Sequence, residues 1–201
     1  MGFPSTSLLD TFNRPDENPT TRFDDGMGGI ANGQIVNHAV QHVPDVWVET
    51  FWADSRYGPD AEAWGQLETT PNQNGDAVHL YVRASGATTM VSGYKLTWLF
   101  QGNTESDSLE IFRSDEATLT QLSIISGFHM AAGDRLGFRV VGSLLTAWHQ
   151  PVNGTWTEIT HASDSTYTGS GSIGFGIDNQ GTAQIRISEF GGGTVTYNCL
   201  P

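Results

Sequence analysis

Between Ala132 and Trp156 the chain reads AGDRLGFRVVGSLLTAWHQPVNGTW, and two turn signals divide this stretch into three strands. Leu136, Phe138 and Val140 alternate with Arg135, Gly137 and Arg139, so one set lies on one face of a strand and the other set on the opposite face. Gly142-Ser143 separates Asp134–Val141 from Leu144–His149, and the glycine supplies the positive φ that a tight hairpin needs. Asn153-Gly154 is a strong hairpin signal, after which Thr155–His161 returns as a third strand. Residues 134–161 are therefore expected to form an antiparallel meander.

The same alternation recurs along the chain. Val78, Leu80 and Val82 alternate with His79, Tyr81 and Arg83, while Tyr94, Leu96, Trp98 and Phe100 alternate with Lys95, Thr97 and Leu99. Ile173, Phe175 and Ile177 alternate with small residues. About a dozen such segments, parted by Gly, Asn, Asp and Pro, predict an all-β fold of two stacked antiparallel sheets, a β-sandwich. The chain has 201 residues with 24 Gly, only 15% charged and 37% hydrophobic, which suits one β domain with one core. No apolar run is long enough for a membrane helix. Asn13–Gly33 is expected as a long polar loop crossing a sheet edge. Gly191–Gly193 is expected to part the domain from a short tail. The division is residues 1–7, an N-terminal tail; 8–193, the sandwich; and 194–201, a tail that contacts a partner or a second copy.

Charge narrows the partners. Nine basic and 22 acidic residues give a net charge of −13, and Lys95 is the single lysine. Without a cationic cluster the chain cannot draw affinity from phosphates, so nucleic acid is not expected as a partner, and anionic membranes and acidic polymers are poor ones. Neutral glycans and protein surfaces are left. Cys199 is the one cysteine, which rules out an intrachain disulfide and a thiolate metal site. Met1–Thr6 has neither a basic nor an apolar region of the kind a signal peptide carries. Its formal match to an N-acylation pattern is opposed by Pro4. Asn153-Gly-Thr155 reads as a turn rather than a glycosylation site.

Ala132–Trp156, with LLDTFNRPD (Leu8–Asp16), GSGSIGFGID (Gly169–Asp178) and ISEFGGG (Ile187–Gly193), resembles the concanavalin A-like, laminin-G-like jelly-roll modules. The resemblance implies that the first and last strands lie side by side. It also implies a non-enzymatic recognition or structural role, since similar free-standing jelly rolls occur in bacteriophage minor tail and surface proteins and in secreted carbohydrate-binding modules. A free-standing jelly roll, no signal-peptide features and the single Cys199 make a virion the expected setting, with an extracellular module as the alternative. The expected partners are a host-surface glycan or neighbouring virion proteins, in a homo-oligomeric assembly.

Three constellations carry possible chemistry. Glu105-Ser-Asp107-Ser-Leu-Glu110 matches the carboxylate run of glucanases with this fold, where a nucleophile and an acid/base sit about 5 Å apart. The serines between them, and the preceding Gln101–Thr104 turn, fit a solvated loop equally well. Relatives often hold one structural calcium, which is expected here near Asp10 and Asp178. Asp24, Asp25, Asp76, Asp134 and Asp164 read instead as turn residues, and His38 and His42 lie too far apart on strand and loop to share zinc. The third constellation is aromatic. Trp52, Asp54, Arg56, Tyr57 and Trp64 form a polar loop bracketed by rings, and Trp148 and Trp156 flank the Asn153-Gly154 turn, as a sugar-stacking site requires. Trp52, Trp64, Trp98 and Trp148 taken singly also fit core or sheet-face positions.

Overall fold

The computed structural model describes residues 2–16, 23–24, 33–42, 48–52, 56–87, 90–116, 118–180 and 185–197. Among them are fifteen strands: β1 (Leu8–Asp10), β2 (Phe23–Asp24), β3 (Gly33–Val36), β4 (Ala39–His42), β5 (Val48–Trp52), β6 (Ala61–Thr69), β7 (Ala77–Ala87), β8 (Met90–Leu99), β9 (Ser108–Asp115), β10 (Thr118–Ser126), β11 (Arg135–Val141), β12 (Leu144–Gln150), β13 (Thr157–Ser163), β14 (Ser172–Asp178) and β15 (Arg186–Thr194). An eight-stranded sheet runs β13-β12-β11-β6-β15-β4-β3, with β1 also paired to β15. A seven-stranded sheet runs β10-β9-β8-β7-β14-β5-β2. The fold is the all-β, two-sheet antiparallel sandwich that the alternation predicts.

The meander forms as expected. β11 pairs β12 from Arg135↔Gln150 to Val141↔Leu144, closed by Gly142 at φ +57°. β12 pairs β13 with a bulge at Ala147/Trp148. The first and last strands, β1 and β15, are hydrogen-bonded neighbours, as the resemblance implied.

The alternating apolar sets meet between the sheets. Leu80, Leu96, Leu109 and Phe175 from one sheet pack against Phe138, Leu145, Ile187 and Phe190 from the other. Each fully buried Phe or Leu contributes about 1.5–3 kcal/mol relative to exposure. On one side the two edge strands meet through Ser123 Oγ and Thr160 Oγ1, 2.9 Å apart.

Two boundaries differ from expectation. Gly191–Gly193 is no linker: all three glycines are buried inside β15, opposite Trp64, Ala63 and Glu62 of β6. The reason is steric. The Trp64 indole lies on Gly191, where a Cβ would fall 2.2 Å from its ring. At Gly192 (φ +154°) a Cβ would meet the Glu62 carbonyl at 2.5 Å and the Ile173 methyl at 2.6 Å. A glycine run can mean freedom or close approach, and here it means close approach. Likewise residues 2–7 are docked rather than trailing, with Phe3 buried. Beyond β15, Val195 is buried and bonds through its N–H to the Asp60 carbonyl. Cys199 and most of Asn13–Gly33 lie outside the described residues.

Replacing Gly191 by Ala forces the Trp64 ring out of its seat, and overpacking of this kind costs about 1–3 kcal/mol. Gly169, where a Cβ meets nothing within 4 Å, tolerates the same change. Urea unfolding of Gly191→Ala and Gly169→Ala should show a lowered midpoint in the first and an unchanged one in the second.

Candidate functional site

The residues proposed for sugar binding do not converge. Trp52 points into the core, 6.5 Å from the Phe190 ring. Tyr57 is half-buried against that core and bridges to Gly171, while exposed Arg56 reaches the Ser170 carbonyl at 3.4 Å. Trp64 is buried on the outer face of the eight-stranded sheet, its indole N–H without an acceptor among the described residues. Trp148 and Trp156 share that face, half-buried, but their rings are already taken by Phe3. Asp54 lies outside the described residues. Strand alternation separates residues that sequence proximity groups together: Trp52 ends an inward-facing set, and Trp64 belongs to an outward-facing one.

The carboxylate run is also dispersed. Glu105 is exposed in the turn before β9. Asp107 is buried, accepting the Gln101 N–H at 2.8 Å and facing His129 Nδ1 at 2.7 Å. Glu110 stands alone of the three on the outer face of β9, holding Ser108 Oγ and Gln121 Nε2, each at 2.7 Å. Asp107 precedes the strand and Glu110 has the opposite parity, so no nucleophile and acid/base pair forms from this run.

The calcium expected near Asp10 and Asp178 is likewise not supported. The two carboxylates belong to different sheets. Both Asp10 oxygens are held by Arg14 at 2.7 and 2.8 Å, and one also accepts the Phe12 N–H. Among the described residues no three His, Cys, Asp or Glu side chains converge as a metal set does. Asp76, Asp134 and Asp164 tie turns by accepting backbone N–H groups, as their neighbours in sequence indicated.

A different site emerges on the outer face of the seven-stranded sheet. Register aligns Glu110 of β9, Thr97 of β8, His79 of β7, Gly176 of β14 and Glu49 of β5 in one row. The adjacent row is Phe112, Lys95, Tyr81, Gly174 and Phe51. With strands ~4.8 Å apart, four steps carry each row about 19 Å across the sheet. Gly174 and Gly176 of β14 carry no side chains of their own, and across them Tyr81 donates its hydroxyl to Glu49 Oε1 at 2.6 Å. Lys95 Nζ stands 3.7 Å from the same carboxylate and 5.6 Å above the Tyr81 ring. Phe51 meets Tyr81 edge-on at 5.3 Å.

Beside this lies a second set of bonds, with His79 Nδ1 3.0 Å from Thr97 Oγ1 and Nε2 3.0 Å from Asp178 Oδ2. His79 is only 2% exposed, and burial, then the Lys95 charge, pushes it below its ordinary 6.5. The neutral ring therefore donates Nε2–H to Asp178 and accepts the Thr97 hydroxyl at Nδ1. Burial alone would raise Asp178, but His79 and Lys95 outweigh it and hold the carboxyl below the usual range. Burial, then Glu49, drives Tyr81 well above its ordinary value. The result is a layer of fixed donors and acceptors edged by the partly exposed groups Glu49, Lys95, Phe112 and Asp178. Of this set, His79, Tyr81, Lys95 and Thr97 are the polar members of the alternation already visible in Val78–Arg83 and Tyr94–Leu99.

No protein-family model matches the chain, and no curated protein matches it. Solved structures do resemble it. The exoplasmic/lumenal domain of VIP36, in its Ca2+- and Man2-bound form, superposes with a TM-score of 0.65 at 13% identity, over 98% of this chain and 92% of that one. A legume lectin-like domain from Entamoeba histolytica gives 0.61 at 13% identity, over 87% and 91%. The carbohydrate binding module CBM66 from Bacillus subtilis gives 0.59 at 13%, over 87% and 96%. At these identities the likeness is one of fold, and the chain has the lectin-like jelly-roll sandwich.

The buried His79 makes a prediction about pH. Its folded pKa lies below the unfolded value, so between the two the unfolded chain binds the extra proton and stability falls as pH falls. Asp178 adds a further loss only lower, as pH drops through the usual carboxylate range toward its depressed value. The urea midpoint should decline between pH 7 and 5, and His79→Gln should remove most of that decline.

Proposed function

We propose that the protein is a non-catalytic, lectin-like carbohydrate-binding module that holds neutral glycan on the outer face of its seven-stranded sheet. The observation that carries this reading is the pair of preorganised bonded sets, Glu49–Tyr81–Lys95 and Asp178–His79–Thr97, on a fold shared with carbohydrate-binding proteins. Sugar hydroxyls need fixed acceptors and donors, which Glu49, Lys95 and Asp178 supply at the accessible edge. Phe112 offers an apolar surface for the C–H face of a ring. The net charge of −13 favours neutral over acidic glycans.

Of the readings taken from the sequence, this one is nearer the carbohydrate-binding module than the virion component. Placement on a bacteriophage particle rests on the sequence reading alone, chiefly the resemblance to free-standing jelly-roll modules. In such an assembly of many copies, avidity would offset weak single-site binding.

The test is retention of the purified protein on immobilised neutral polysaccharides. Retention on at least one of them is expected. Glu49→Gln or Lys95→Met should each weaken it by about tenfold, the loss of one charge-assisted hydrogen bond. Retention that survives both changes, or its absence across the panel, contradicts the proposal. Steady release of reducing ends would contradict the non-catalytic part of it.

A further inference from the structure

Residues 2–6 cross the outer face of the eight-stranded sheet without joining it. Among the described residues, no backbone-to-backbone hydrogen bond ties this segment to a strand. Side chains hold it instead. The Phe3 ring stacks on Trp148, centroids 5.1 Å apart and planes 4° from parallel, and meets Trp156 edge-on at 4.7 Å. The Arg139 guanidinium lies 4.8 Å from the ring centre. Gly137 forms the floor, where a Cβ would fall 2.3 Å from the Phe3 ring.

Next to this slot stands Glu62, fully buried. Its Oε1 accepts four donors: Ser5 N at 2.6 Å, Ser5 Oγ at 3.2 Å, and Thr6 N and Thr6 Oγ1 at 2.7 Å each. Its Oε2 takes Arg139 Nε at 2.7 Å, and Arg139 Nη2 extends to the Gly2 carbonyl at 3.0 Å. Anchor ring, backbone carbonyl and paired N–H and hydroxyl donors are read by residues of β6, β11 and β12, with Trp156 just ahead of β13.

The geometry points to a peptide-recognition site on this face, specific for an aromatic residue followed at the second and third positions by Ser or Thr. Residues 2–6 are its ligand in cis, and a free peptide of the same sequence is its ligand in trans. A peptide fits better than a sugar because two of the donors on Glu62 are consecutive backbone amides, which a neutral saccharide lacks. The site lies on the opposite face from the glycan row and does not depend on that reading.

The experiment uses the full chain carrying Phe3→Ala with Ser5→Pro and Thr6→Pro, which removes the anchor ring and all four donors to Glu62 Oε1, and a synthetic peptide of residues 2–7, Gly-Phe-Pro-Ser-Thr-Ser. Emptying the slot uncovers Trp148 and Trp156, so tryptophan emission shifts to the red while the far-UV circular dichroism stays unchanged. Adding the peptide should reverse the shift saturably. The same peptide with Ala for Phe should bind about tenfold more weakly or worse, as loss of an aromatic anchor does. The same variant with Gly137→Ala added, whose methyl fills the slot, should not respond. The unaltered protein, its slot occupied, should not bind peptide.

If this variant does not fold, Phe3→Leu in place of Phe3→Ala, which keeps part of the burial, carries the same titration. A folded variant that ignores the peptide at millimolar concentration overturns the inference. So does one that binds both peptides equally, or that takes a neutral oligosaccharide in preference to either.

Discussion

The arrangement depends on how closely β15 can approach its neighbours. This strand pairs with β6 along its length and, on its other edge, with β4 at one end and β1 at the other. Gly191 accepts the Trp64 indole on the outer side, and Gly192 lets the Ile173 methyl of the opposite sheet come near. Any side chain at either position would part the strands or the sheets. Once β15 is seated, Phe190 is fixed between Trp52 and Phe175, and the two sheets close around one core.

That closure leaves two outer faces, which the chain treats differently. On the eight-stranded sheet it covers an aromatic and ionic patch with its own residues 2–6, and the buried Glu62–Arg139 pair is satisfied by that cover. Burying such a pair is costly unless its remaining bonding capacity is met, and Ser5 and Thr6 meet it for Glu62. On the seven-stranded sheet the polar groups satisfy one another across strands: Tyr81 with Glu49, His79 with Thr97 and Asp178, Glu110 with Ser108 and Gln121. A network completed internally is rigid, and rigid donors and acceptors are what a weakly held, hydroxyl-rich ligand requires.

Much of the fold is legible in the sequence because a period of two has a single physical meaning. Val78–Arg83, Tyr94–Leu99 and the Gly142 and Asn153-Gly154 turns lead directly to β7, β8 and the β11–β13 meander. Gly191–Gly193 is not legible in the same way, since one sequence serves a hinge or a tight contact and only the Trp64 ring decides between them. The candidate site was half visible. Trp52–Trp64 and Glu105–Glu110 draw attention because they are close in sequence, yet strand parity sends their members to different faces. His79, Tyr81, Lys95 and Thr97 are noted only as the polar partners of core residues, and they converge because register sets β7 beside β8 and β14.

The central claim is that the row on the seven-stranded sheet receives the ligand, and amide chemical-shift mapping tests it most directly. Titrating the isotopically labelled protein with an oligosaccharide of the retained glycan should move the resonances of Glu49, His79, Lys95, Thr97 and Asp178 together. Those around Phe3, Trp148 and Trp156 should stay in place. Shifts confined to the Phe3 slot, or to the end of the sandwich around Tyr57 and Tyr197, with the row unmoved, would contradict the account.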